Sequence, residues 1–167
     1  MRIVLIGAPG AGKGTQATKL SAHLGVPHIS TGELFRARRE DAEIREYLDT
    51  GRLVPDELTA RLVTDRLNEP DAQAGFILDG FPRTLPQADA LATPDAVVEL
   101  RLPETALVER LRGRGRADDT DATIRHRLEV YRVETTPLLD HYAAVLVSVD
   151  GTGDVDEVTR RIITRLA

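Results

Sequence analysis

Residues 2–16 read RIVLIGAPGAGKGTQ, and the expected fold grows out of this stretch. A short apolar run, Ile3-Val4-Leu5-Ile6, breaks into a glycine-rich loop that leads straight into a helix beginning near Lys13. Strand, glycine-rich loop with a lysine, then helix is the physical recipe for holding a polyphosphate. Gly7, Gly10, Gly12 and Gly14 let the backbone curl until successive N–H groups face one anion. The new helix turns about half a positive charge toward the same point. Lys13 adds a full one. The chain has one other lysine, Lys19, against twenty arginines, so a lysine here is not compositional noise. The pattern G-x-x-x-x-G-K-[ST] is met from Gly7 to Lys13. The next position is then Gly14, and the hydroxyl arrives one residue late, at Thr15.

Periodicity extends the pattern outward. Ala17, Leu20 and Leu24 continue the first helix, and Gly25 ends it. A short strand follows at 27–30. Ser30-Thr31-Gly32-Glu33 has the hydroxyl and following acid of a capped helix start, and further helices are expected at 42–49 and 56–67. An apolar strand at 75–79 ends in Asp79. A loop and a helix at 85–91 come next, then a strand at 96–102 and a helix opened by Pro103 in the N1 position. A long helix at 122–142, bent near Pro137, a strand at 144–149 and a closing helix at 155–166 complete the chain. Five strands alternating with helices imply an α/β fold: a parallel sheet flanked by helices on both faces. Ligands gather at the carboxyl ends of such strands. This singles out residues 7–15, Thr31 and residues 79–83, with the arginine-rich segment 110–121 farther along.

Composition bounds the rest. A chain of 167 residues, 41% hydrophobic and 29% charged, suits one compact domain. No apolar run is long enough to span a bilayer, and the first strand starts at residue 2, so no secretory signal peptide is expected. Cysteine is absent, which excludes disulfides and thiolate zinc sites and agrees with a cytoplasmic setting. The net charge of −5 argues against a general nucleic-acid binder.

Two sets of residues carry chemistry beyond the loop. Asp79, closing an apolar strand, is the natural acid for holding Mg²⁺, directly or through water. Arg36, Arg83, Arg110, Arg114, Arg116, Arg125 and Arg127 lie near expected loops or helix ends, and guanidinium forks bind phosphate oxygens in pairs. Arg38, Arg39, Arg45, Arg61, Arg66, Arg160 and Arg161 read as solvated surface, while Arg112 is evenly balanced between the two. Asp118 and Asp119 read as groups that orient neighbouring arginines or cap a helix. His23, His28, His126 and His141 lack metal-ligand spacing and read as helix-face or strand residues.

The motifs GAPGAGKGTQ, ISTGELFRA, GRLVPDEL, GFILDGFPRTLPQADAL, ERLRGRGRADD and IRHRLEVYRVETTPLLDHY resemble those of adenylate kinases, in the same order and over essentially the whole chain. The resemblance implies a single P-loop kinase domain, 1–167, with a mobile AMP-binding segment at 30–62 and a short lid at about 112–121. It implies reversible phosphoryl transfer from Mg·ATP to AMP, giving two ADP. Gly10, Ala11, Gly12, Lys13, Gly14 and Thr15 would cradle ATP, with Lys13 reaching the transferred group. Arg110, Arg114 and Arg116 would close over ATP, Arg110 also stacking on adenine. Arg36 and Arg83 would clamp the AMP phosphate, with Arg116 and Arg127 also on that side, and Arg125 and Arg127 would reach the transferring phosphoryl. Thr31, Gly80 and Gln87 would read the AMP base, with Leu53 and Val54 lining its pocket. Lys13-Gly14-Thr15 is the usual order in that family, so the metal would be held mainly by phosphates and waters, with Asp79 behind a water. The lid is short and lacks cysteine, so no structural zinc is expected. The expected partners are ATP, AMP and ADP, with no nucleic acid and no membrane, and the expected state is a monomer. Two other readings stand: a UMP/CMP-type kinase, which has alanine where this chain has Thr31, and a non-catalytic ATP-binding switch.

Overall fold

The computed structural model describes residues 1–116 and 119–167, with the backbone alone at Glu43. Five parallel strands, β1 (Arg2–Ile6), β2 (His28–Ser30), β3 (Phe76–Asp79), β4 (Ala96–Arg101) and β5 (Leu146–Asp150), form one sheet in the order β2-β3-β1-β4-β5. The helices are α1 (Lys13–Leu24), α2 (Thr31–Arg36), α3 (Ala42–Thr50), α4 (Asp56–Leu67), α5 (Leu85–Asp89), α6 (Glu104–Arg114), α7 (Asp121–Val130), α8 (Pro137–His141) and α9 (Val155–Leu166).

β1 is apolar from Ile3 to Ile6 because it is central and covered on both faces there, the usual condition of a parallel sheet with flanking helices. Its register pairs Ile3 with Ile77 on one side and with Ala96 on the other. Alternation along the strand divides the core. Ile3 and Leu5 pack with Leu20, Leu111 and Ile162 from α1, α6 and α9. Val4 and Ile6 pack on the opposite face with Val63 and Leu138 from α4 and α8. Burying each such side chain contributes about 1.5–3 kcal/mol, so this scaffold holds the strand ends firmly. A third, smaller cluster of Phe35, Ile44 and Val54 stands apart and packs residues 30–62 on themselves.

Local chemistry sets most element starts. Ser30, Thr84 and Thr120 cap α2, α5 and α7 by accepting a backbone N–H three residues on, and Asp154 with Glu157 forms a capping box on α9. The expected helix 122–142 is built in pieces. After α7 the chain widens into a π-turn at Tyr131–Thr135, with Thr136 N donating to Tyr131 O at 3.0 Å, and α8 begins at Pro137. Proline has no N–H to continue the ladder, and the wider turn absorbs the break. Pro103 is the N-cap of α6 rather than its first residue, and the last strand starts after a 3₁₀ turn at Ala143–Val145.

Candidate functional site

A cleft of about 770 Å³ opens at the carboxyl ends of the strands. Eight cationic side chains line it, Lys13, Arg36, Arg52, Arg83, Arg110, Arg114, Arg116 and Arg127, against two carboxylates among the described residues, Glu33 and Asp79. A concave, cation-lined site in a chain of net charge −5 focuses positive potential on whatever enters it.

One end is the loop between β1 and α1. Gly10 and Gly12 take φ of 87° and 94°, conformations open to glycine at low cost. A side chain at Gly10 would also bring its Cβ to 2.8 Å from Leu107 O. Gly12 is the N-cap of α1 and offers no side chain to the first N–H groups, so those donors remain for a ligand. Lys13 Nζ folds back and donates to Gly7 O at 2.7 Å and Ala8 O at 3.3 Å. Burial, helped by Arg83 and Arg114 and opposed by Asp79, lowers this amine from 10.5 to about 8. An anion arriving at the loop removes that penalty, so the free site is primed for negative charge.

Asp79 ends β3 beside this loop. Burial works to raise its carboxyl, but His28, Lys13 and Arg83 together outweigh burial and hold it below the usual carboxylate range. His28 Nε2 is 3.8 Å from Asp79 Oδ2, which is proximity rather than a hydrogen bond. The donor set fits a hydrated divalent cation held chiefly by phosphates. A Cβ on Gly14 would sit 3.5 Å from Asp79 Oδ2, so the glycine leaves the carboxylate's face open. Among the described residues no group of three or more His, Cys, Asp or Glu stands together as ligands.

The other end is built by α2, the 80–84 loop and α5. Arg83 Nε donates to Gly80 O at 2.8 Å. Burial together with the nearby Arg127 and Arg36 lowers Arg83, and Asp79 opposes this. Like charges held together in this way favour a shared anion. Gly80, at φ 87°, leaves no room for a side chain: a Cβ there would meet Thr31 Oγ1 at 2.5 Å. Thr31 and Gln87 are both buried. Gln87 lines the cleft along with Leu53 and the buried Val54.

The arginine segment joins the two ends. Asp119 is almost fully enclosed and accepts from Arg114 Nε at 2.8 Å and Nη2 at 2.6 Å, and from Arg127 Nη1 at 3.1 Å. Arg127 Nη2 also donates to Leu48 O at 3.0 Å, and Thr123 Oγ1 to Asp49 O at 3.3 Å, which fastens α7 to the end of α3. Arg110 Nη2 donates to Gly151 O at 3.3 Å. Arg116 lines the cleft, while Asp118, expected to steer these arginines, lies outside the described residues.

The cleft is lined by every expected site residue except Arg125 and Thr31, the latter buried with its Oγ1 donating to Asp79 O at 3.4 Å. Successive helical residues are about 100° apart, so Arg125 and Arg127 face different ways. Arg127 lines the cleft, and Arg125 is exposed on α7 outside it. Periodicity within α7 already separated the two. Lining residues that the sequence did not single out include the cation Arg52 and His28, Gly151, Gly153 and Val155 beyond β5, and Tyr131 and Thr135 on the π-turn. The rule that ligands gather at strand ends applied equally to β5. No local pattern marked the π-turn.

Comparison with known proteins agrees with this geometry. The family model for adenylate kinase matches residues 5–146. The chain is 54% identical to an adenylate kinase of Nocardia farcinica, covering 99% of each chain. It is 56% identical to one of Mycobacteroides abscessus, covering 96% of each, and 56% identical to one of Mycolicibacterium paratuberculosis, covering 99% of each.

Proposed function

The chain belongs to the adenylate kinase family, and from that premise we propose that its cleft carries reversible phosphoryl transfer from Mg·ATP to AMP, giving two ADP. The observation that carries this reading is a single cleft with two anion-binding ends. Lys13 and the α1 N-terminus lie at one, Arg36 and Arg83 at the other, and Arg114, Arg116 and Arg127 also line it. A switch that only bound ATP has no need of the second end.

The backbone from Gly10 to Thr15 cradles the donor phosphates, and Lys13 moves from Gly7 O and Ala8 O onto the transferred group. Arg110 and the 151–155 turn flank the donor base, and Arg114 and Arg116 close over its phosphates. Arg36 and Arg83 hold the acceptor phosphate, with Arg116 and Arg127 beside it, and Arg127 reaches the transferring group. Thr31, the Gly80 backbone and Gln87 meet the acceptor base above Leu53 and Val54. Asp79, ionised and beside the loop, would hold through water the magnesium that accompanies ATP. That ion would supply neutralisation of the phosphate charge.

A phosphate monoester is already a competent nucleophile, so the protein's work is alignment and charge stabilisation. Residues 30–62 and the arginines Arg114 and Arg116 close over the pair and keep water from the phosphoryl group. The protein acts as a cytoplasmic monomer. Among the described residues no helix is long and apolar enough to cross a membrane. A coupled assay with Mg·ATP and AMP, UMP, CMP or GMP tests the assignment. ADP formation with AMP far above the others, abolished by chelation, supports it, and a pyrimidine preference reassigns the acceptor.

A further inference from the structure

Gln87 sits at the acceptor end, and both ends of its amide are committed. Its Nε2 donates to Asp56 Oδ1 at 2.7 Å, and its Oε1 accepts from the Arg83 backbone N–H at 2.8 Å. Asp56 is held in turn, because Thr84 Oγ1 donates to the same Oδ1 at 3.0 Å. That hydroxyl, its hydrogen committed to Asp56, accepts the Gln87 N–H at 3.4 Å and caps α5. An amide turned end for end exchanges its donor and acceptor. Here the turned amide would set Oε1 against a carboxylate oxygen and Nε2 against a backbone N–H. Both contacts would be repulsive, in a side chain only 2% exposed. Gln87 therefore has one allowed orientation, and its second N–H and second oxygen lone pair have no partner among the described residues.

We propose that Asp56 is a specificity-determining positioning residue that fixes the Gln87 amide so the acceptor site takes a 6-aminopurine and rejects a 6-oxopurine. The proposal rests on the AMP-kinase reading above and deepens it. The adenine edge offers an acceptor at N1 and a donor at the 6-amino group, which the free N–H and free oxygen of the fixed amide match. Hypoxanthine and guanine offer a donor at N1 and an acceptor at O6, the reverse order. They fit only a turned amide. Discrimination then comes from a built-in repulsion as much as from the attractive pair. A wrong base leaves buried polar groups opposed rather than merely unpaired.

The test compares AMP with IMP, which has nearly the same outline and differs at the edge in question. The wild type and Asp56→Asn are assayed for kcat/KM on each acceptor and for KM of ATP. Asparagine keeps the shape and offers an amide N–H as well as an oxygen, so one of the two repulsions that hold Gln87 is removed. The AMP-over-IMP ratio is expected to fall about tenfold or more in the variant, with KM for ATP unmoved. Asp56→Ala is the second variant, and it should lower the ratio in the same direction. A ratio unchanged in both variants overturns the proposal, as does an equal rise in KM for ATP and AMP, which marks a structural role only. A wild type that leaves AMP unphosphorylated overturns the functional reading itself, a different failure that the same assay separates.

Discussion

Lys13→Met should make the protein more stable and nearly inactive. Lowering an amine from 10.5 to about 8 corresponds to roughly 3 kcal/mol against keeping it charged in the empty loop. The amine is only partly enclosed, so cleft water screens part of that cost. The substitution also removes the contacts to Gly7 O and Ala8 O, worth about 1 kcal/mol together at this degree of exposure. The net expectation is a gain of about 1 kcal/mol at pH 7, or about 2–4 °C in Tm for a chain of this size. Because the folded-state value is depressed, the unfolded chain binds more protons between about pH 8 and 10.5. Wild-type stability therefore gains from this group as pH rises through that window, and the advantage of the variant should shrink from pH 7 to pH 9.5. Turnover should fall about 10²–10³-fold, the usual loss when one donor to a developing charge is removed. Thermal melts at the two pH values, with a coupled assay, read all three effects. A variant that melts well below wild type at pH 7, or that turns over normally, refutes the reasoning.

Arg127→Met should cut kcat by at least about a hundredfold, whereas Arg125→Met, two residues away but outside the cleft, should stay within about twofold; steady-state kinetics on the pair checks this. Asp119→Ala leaves Arg114 and Arg127 without their shared counterion, and should cost about 3 kcal/mol of stability by denaturant titration and reduce kcat. Gln87→Ala should raise KM for AMP about tenfold or more and KM for ATP little, as initial rates with each substrate varied in turn will show.

The layout of the fold could be read in the chain because its cues are local. Apolar runs set between turn residues marked the strands, and the hydroxyl at Ser30 marked a helix start that the structure caps at that same residue. The glycine-rich loop proposed to hold phosphate was legible because its chemistry lies within nine consecutive residues. What escaped depends on contacts across the sequence. The amide clamp joins residues 31 apart, and the tie between Arg127 and Leu48 spans 79. Neither leaves a trace in periodicity. His28 read as an ordinary strand residue, which it is, yet pairing of β2 with β3 sets it beside Asp79. The break after α7 was expected from Pro137, but how the chain would absorb it was not, since a π-turn depends on what packs against it. One such contact is Thr135 Oγ1, which donates to Arg83 O at 2.9 Å.

The central claim is that donor and acceptor occupy one cleft together and exchange a phosphoryl group directly. The most direct measurement supplies ATP labelled at the γ-phosphate, with magnesium and unlabelled AMP, and follows the label in a single turnover. The account predicts that the label appears in the β-phosphate of ADP made from AMP, with almost none as free phosphate. Label released as inorganic phosphate, or retained in ATP while both nucleotides are bound, would contradict it.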